Sequence, residues 1–312
     1  PTQPRLFAKV TNNGKTFNLT PRECCNVHFP RTDLTDRNFG IIHPELHNDI
    51  AYHIARNWKT VVKALVPSQS SVTCYSFPVP IDSKQPGRMG RLRSGRMIYE
   101  FLWMTEDDLA SVAYRYTHLV RADIKNFYTA IYTHSIAWAI HGKKKIRTGS
   151  NRWDYKLLGN RLDRLFQYSN NQRTNGIPIG PVVSDIIAAT IAAGVDCGLT
   201  KSVTDKALGC EMVRFKDDYR ILVKSESDGR QVIKLLQAAL KDLHLELGEA
   251  KTSIHTLPEG LFRPWVSMYH AVYPRKRTHF TWEEFRELYL AVLRIDEQYP
   301  GTGVVDRFLA DI

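Results

Sequence analysis

Two adjacent carboxylates, Asp217 and Asp218, sit in the run Val213-Arg214-Phe215-Lys216-Asp217-Asp218-Tyr219-Arg220. Residues 211–215 and 219–223 are rich in β-branched and aromatic side chains, which predicts two strands joined by a turn at residues 216–218. Neighbouring acids repel each other, and Asp is depleted in strands. A tight turn that holds both therefore needs a compensating cation. Mg²⁺ suits the role, because it takes oxygen ligands and usually one or two carboxylates plus substrate phosphates. Asp is also an ordinary turn residue, so the weight falls on the company this pair keeps.

The second strand of interest is His118-Leu119-Val120-Arg121-Ala122-Asp123-Ile124. By the period of two, Val120, Ala122 and Ile124 share one face, and Leu119, Arg121 and Asp123 share the other. Asp123 thus ends a strand and points away from its apolar side. Asp123 and Asp217 lie 94 positions apart, so only a fold that pairs their strands brings them together. Carboxylates from two adjacent strands can bridge a pair of metal ions about 3.5–4 Å apart, which clamp the attacking and leaving oxygens of a displacement at phosphorus. Asp123 and Asp217 are assigned as bridging ligands, Asp218 as the supporting acid, and the carbonyl of Ile124 as a further ligand.

The elements that must position these groups have a basic setting. The chain has 312 residues, 43% of them hydrophobic, enough for a real core. Its formal net charge of +11 and pI near 9.4 point to a polyanionic partner, most simply nucleic acid. The five cysteines, Cys24, Cys25, Cys74, Cys197 and Cys210, have no finger spacing, which argues against a disulfide framework and a structural zinc and suits a reducing cytoplasm. No apolar run reads as long enough to span a bilayer; the best, residues 186–193, is broken by Gly194 and Asp196. The sequence opens at Pro1 and stops at Asp311-Ile312 within a helical pattern, so a piece of a longer protein is expected.

Along the chain, apolar spacing predicts a helix over residues 50–65, then an edge strand over 72–80. Residues 83–96 form a glycine-punctuated basic loop with Arg91 and Arg96, leading into a strand-like segment at 97–102. Thr105 and Asp108 fit a capping box that would open a helix. A short helix follows over 135–141 with Gly142 as its cap; His134 and His141, without a third ligand, read as structural. A cationic run at 143–147 precedes a stretch where Arg152, Lys156, Arg161 and Arg164 interleave with Trp153, Tyr155, Phe166 and Tyr168, the make-up of a strand-binding groove. Gly176-Ile177-Pro178-Ile179-Gly180-Pro181-Val182-Val183-Ser184 then empties into an apolar helix at 186–195. Further helices are expected over 232–245 and 282–295, with Lys251 in a loop between them.

The order of these features resembles the palm of reverse transcriptases. Asp123-Ile124-Lys125-Asn126-Phe127-Tyr128 is similar to that family's motif A, residues 176–184 to motif B, Phe215-Lys216-Asp217-Asp218 to motif C, and residues 248–252 to motif D. Within the family, Ile131-Tyr132-Thr133-His134-Ser135-Ile136 and Lys251-Thr252-Ser253-Ile254-His255-Thr256-Leu257-Pro258 resemble the bacterial antiphage group, the abortive-infection and related defence enzymes. Two departures stand out: Phe215 opens motif C in place of Tyr, and Ile179 stands where motif B usually has Gln. The second removes an amide that helps templated enzymes hold the incoming nucleotide.

The resemblance implies an α+β, right-hand polymerase: an N-terminal and fingers region at 1–117, a palm at 118–261 with a fingers insertion at about 130–175, and the start of a thumb-like or helical region at 262–312. It implies DNA synthesis from dNTPs with Mg²⁺ or Mn²⁺, in some members without a template and primed by a protein tyrosine. RNA and a covalently attached DNA product are implied partners, and homo-oligomers the implied state. It also implies roles. Tyr128 packs beneath the sugar and favours deoxynucleotides, Gly180 admits the nucleotide, Arg91 or Arg96 holds its triphosphate, and Lys251 neutralises or protonates the departing pyrophosphate. The alternative from another class is a catalytically inactive, polymerase-like scaffold that binds nucleic acid without metal. An RNA-copying RNA polymerase is disfavoured by Tyr128.

Overall fold

A computed structural model covers the chain, and the description below concerns residues 6–11, 13–32, 34–76, 78, 95–273 and 279–312. Arg91 and most of the basic loop lie outside these residues.

The N-terminal part holds two antiparallel hairpins, β1 (Lys9–Val10) with β2 (Phe17–Asn18) and β3 (Cys25–Thr32) with β4 (Thr35–Ile41). Where one helix is expected over residues 50–65, two form: α1 (Pro44–Arg56) and α2 (Trp58–Leu65). The break falls at Asn57, whose side-chain amide donates to the His53 carbonyl and closes the first helix. The edge strand β5 (Val72–Cys74) is shorter than expected and runs parallel to β7 (Cys210–Phe215).

The next helix, α3 (Gly95–Ala113), corrects two expectations. Residues 97–102 are helical, not a strand, and Thr105 lies inside the helix rather than at its start. The inward face explains both. Leu102, Thr105 and Leu109 recur at helical spacing, with Glu106 beside Thr105, and Thr105, Glu106 and Leu109 are buried. Two polar residues in that stripe hide the period. Asp108 accepts a hydrogen bond from the Tyr75 hydroxyl instead of capping.

The remaining elements are β6 (His118–Asp123), α4 (Phe127–Ala130), α5 (His134–His141), α6 (Lys143–Arg147), α7 (Leu158–Tyr168), α8 (Val182–Asp205), β7, β8 (Asp218–Val223), α9 (Glu226–Asp242), β9 (Ser253–Thr256), α10 (Pro264–Val272), α11 (Trp282–Gln298) and α12 (Val304–Asp311). The main sheet has the order β5-β7-β8-β6-β9, antiparallel except at the β5–β7 edge. Its two central strands, β6 and β8, carry the acids.

Both faces of the sheet are covered, which the alternating pattern alone does not convey. Val120, Ala122, Ile124, Tyr219, Ile221 and Val223 pack into the main core with α8 and α9. Leu119, Val213 and Leu222 pack with Leu109 of α3 in a smaller core. The last three helices share a separate cluster around Trp265, Tyr269, Val292 and Phe308.

α8 corrects the membrane reading. By length and composition it could cross a bilayer, with a mean hydropathy of 1.7, but 67% of that window is buried inside the protein. It is the central core helix, and its Asp196 meets Arg214 rather than lipid.

Candidate active site

The β7–β8 turn presents the carboxylates. Phe215 and Asp218 are register partners, so Lys216 and Asp217 form the two-residue tip. Lys216 takes φ +55°, uncommon for a residue with a side chain. The surroundings hold it there. Its N–H donates to Ser76 Oγ at 2.7 Å, and its carbonyl accepts from Arg214 Nη1 at 2.7 Å. On the other flank, the Ile124 N–H donates to the Asp217 carbonyl at 3.1 Å.

β6 pairs with β8 so that Asp123 lies directly opposite Asp218. Lys251 Nζ donates to Asp123 Oδ2 at 2.9 Å. The Asp123 carbonyl accepts from the Gly248 N–H at 2.7 Å, and a Cβ on Gly248 would stand 3.2 Å from both the Asp123 carbonyl and Oδ1. A side chain at 248 would force the loop carrying Lys251 to give by a few tenths of an ångström.

Asp217 and Asp218 resist ionisation. Asp218 is pushed up to about 6, by desolvation and by repulsion from Asp217 and Asp123. Asp217 is raised by the same desolvation, offset in part by a backbone hydrogen bond. Lys251 is raised through its hydrogen bond to Asp123. Without an added cation, the Lys251 ammonium on Asp123 relieves part of the crowding. Among the described residues no three His, Cys, Asp or Glu side chains already form a metal cage. The donor set nevertheless fits Mg²⁺ or Mn²⁺: all oxygen, anionic, and short of positive charge. Asp123, Asp217 and Asp218 would hold the ions.

The other expected residues fall as follows. Tyr128 is half-buried and its hydroxyl donates to Asp185 Oδ1 in the first turn of α8. It lines a small recess with Phe127, Ser76, Asp185, Ala189 and Lys216, beside the carboxylate turn. Gly180 takes φ +115°, and a Cβ there would lie 3.1 Å from Phe39, so the N-terminal hairpin seats on the Gly/Pro turn. The Gly40 N–H donates to the Ile179 carbonyl across the same contact. Arg96 is the second residue of α3, so its backbone is helical. The strand-groove reading is corrected in part: Tyr155 and Phe166 are buried in the main core and unavailable to bases. Trp153 is exposed and carries Arg152 over its ring at 4.9 Å.

Sequence reasoning missed the supports. Arg214 and Asp196 form a buried pair behind the turn, with the Tyr219 hydroxyl donating to Asp196 at 2.7 Å. Glu106 is buried against Arg220 and Arg263. Charges inside apolar segments, Asp196 in α8 and Arg214 in β7, were the signal.

A family model described as reverse transcriptase (RNA-dependent DNA polymerase) matches residues 75–284, a span that holds every one of these site residues. The chain belongs to the reverse transcriptase family. Its fold is also similar to the apo telomerase of Candida tropicalis, at 9% identity and a TM-score of 0.50, covering 87% of this chain and 53% of that one. Telomerase from Candida albicans in complex with a fragment of telomeric RNA aligns at 10% identity and a TM-score of 0.48, over 78% of this chain and 44% of that one. The chain thus spans about half the length of these structures. No curated protein matches it.

Proposed function

We propose that this chain is a DNA polymerase of the reverse-transcriptase type that acts in antiphage defence in the bacterial cytoplasm. It joins dNTPs without a required template and starts from a protein hydroxyl. The observation that carries the polymerase reading is the pairing of Asp123 with Asp218 across β6 and β8, with Asp217 at the tip beside them and Lys251 on Asp123. Ile179 in place of the motif B glutamine favours template independence. The antiphage assignment follows the resemblance of residues 131–136 and 251–258 to the defence group.

When bound, Mg²⁺ or Mn²⁺ supplies Lewis-acid stabilisation of the oxygens that exchange at the α-phosphorus. The chain's own groups do the rest. Asp123, Asp217 and Asp218 would hold the ions beside the reacting phosphate. Lys251 stands ready to give a proton to the leaving pyrophosphate, the general-acid role. Tyr128 places a ring where a ribose 2′-hydroxyl would need room.

The test is to incubate the purified protein with each dNTP and Mg²⁺ in the absence of nucleic acid, then to treat the product with protease. The expected result is DNA that wild type makes, Asp217→Asn does not, and protease shortens to free strands. Product that appears only with added template would refute template independence. No product together with no metal-dependent rise in melting temperature would leave the inactive, nucleic-acid-binding scaffold.

A further inference from the structure

The sheet face that carries Asp123 and Asp218 has a second feature two residues along. Arg121 and Arg220 are register partners on β6 and β8, so their side chains leave the same face next to each other. Like charges directly opposite on neighbouring strands are destabilising. Glu106 relieves only part of this. It accepts from Arg220 at 3.4 Å and from Arg263 Nε at 2.8 Å, one carboxylate serving two guanidinium groups. Arg121 is exposed and its side chain makes no hydrogen bond or ion pair among the described residues. Burial lowers the pKa of Arg220, Glu106 opposes that, and Arg121 adds to it.

Between α3 and this face lies a cleft of about 300 Å³, lined by Leu102, Thr105, Arg121, Arg220, Asp218 and Lys251. The arginine pair therefore opens into the same space as Asp218 and Lys251. Residues i and i+2 of a strand stand about 6.8 Å apart, so the two pairs are neighbours along the sheet. Arg121, Arg220 and Arg263 have the single carboxylate of Glu106 between them, which leaves two positive charges, enough to hold a backbone phosphodiester. The guanidinium fork suits phosphate oxygens in a bidentate grip.

We propose that Arg121 and Arg220 bind a backbone phosphate of the DNA strand just behind its growing end. The identity of the strand rests on the polymerase reading above; the existence of the anion site does not. Arg220 anchors the site from its ion pair with Glu106, and Arg121 closes over the phosphate from the open side.

The experiment uses a fluorescein-labelled single-stranded oligodeoxynucleotide, read by anisotropy at several salt concentrations. Arg121 is exposed, so Arg121→Gln should leave the fold intact, which far-UV circular dichroism checks. The expected result is a roughly tenfold weaker affinity and a loss of about 0.7 from the slope of log K against log salt, one single-strand phosphate contact. Arg121→Lys should recover part of both. Asp217→Asn, which disables synthesis on the proposed function, should bind the oligonucleotide at least as well as wild type. An unchanged affinity and slope in Arg121→Gln would overturn the proposal, even if wild type polymerises. A change confined to the KM for dNTP or to inhibition by pyrophosphate would also overturn it, by assigning the site to the triphosphate. If wild type makes no DNA but Arg121→Gln still loses strand affinity, the phosphate site stands and the polymerase reading falls.

Discussion

Arg214 and Asp196 form a bidentate ion pair almost wholly withdrawn from solvent, with Nε 3.0 Å from both Asp196 oxygens and Nη2 2.7 Å from one. The remaining guanidinium nitrogen holds the Lys216 carbonyl, so the pair sets the turn that carries Asp217. Burial works against the charge on Arg214, and Asp196 more than offsets it. Asp196→Ala leaves a buried cation and the Tyr219 hydroxyl without an acceptor. It should cost about 3–5 kcal/mol, measured as a lower urea midpoint. Asp196→Ala combined with Arg214→Met should recover most of that loss. A single mutant as stable as wild type would show that the pair does not hold the turn.

His53 offers a pH signature far from the acids. It is buried on α1, packs edge-on to Phe17, and its pKa is lowered to about 4 by burial and by Arg161, with Asp49 opposing. The neutral ring is favoured in the fold, so its contribution is complete above about 6.5 and is lost as pH falls towards 4. The full loss is about 3 kcal/mol. Denaturant midpoints from pH 7 to pH 4 should fall in wild type and fall less in His53→Phe. Parallel profiles for the two proteins would contradict the assignment.

Why the acids were legible and their supports were not is a matter of where polar residues fall. Asp123 ends a strand and Asp217 tips a turn, places where a polar residue breaks an apolar pattern visibly. His134 and His141, expected to be structural, have partners within the fold: one pairs with Asp163 at 2.5 Å, the other accepts from the Gly159 N–H at 3.0 Å. α3 was misread because Thr105 and Glu106 replace apolar residues on its inward face. Their presence makes sense only once Arg220, 114 positions away, is opposite Glu106. Arg214 and Asp196 are hidden for the same reason. Periodicity reports burial one segment at a time, and a buried charge is tolerable only through a partner on another segment.

Asp217 and Lys251 should separate stability from activity. Burial, with Asp123 nearby, raises Asp217, so Asp217→Asn should melt in EDTA no lower than wild type while dNTP incorporation falls to background. Lys251→Met removes both the Asp123 partner and the proposed proton donor. Its incorporation rate should fall about 100-fold, with the deficit growing as pH rises, because solvent must then supply the proton. Equal rates for Lys251→Met and wild type would remove Lys251 from the chemistry.

Tyr128 tests the choice of sugar. Its hydroxyl is tied to Asp185 and its ring stands edge-on to Phe127, 5.6 Å between centroids. The ring's bulk, not its hydroxyl, is what would exclude a 2′-hydroxyl. Tyr128→Phe should therefore keep most of the preference for dATP over ATP, although the tie to Asp185 is gone. Tyr128→Ala opens the recess and should lower that preference about 10- to 200-fold, the range that small steric differences command. Incorporation of each nucleotide by the three proteins, compared as kcat/KM, gives the answer. If Tyr128→Ala discriminates as well as wild type, sugar selection lies elsewhere. If Tyr128→Phe loses discrimination as fully as Tyr128→Ala, the Asp185 tie positions the ring and is itself part of the selection.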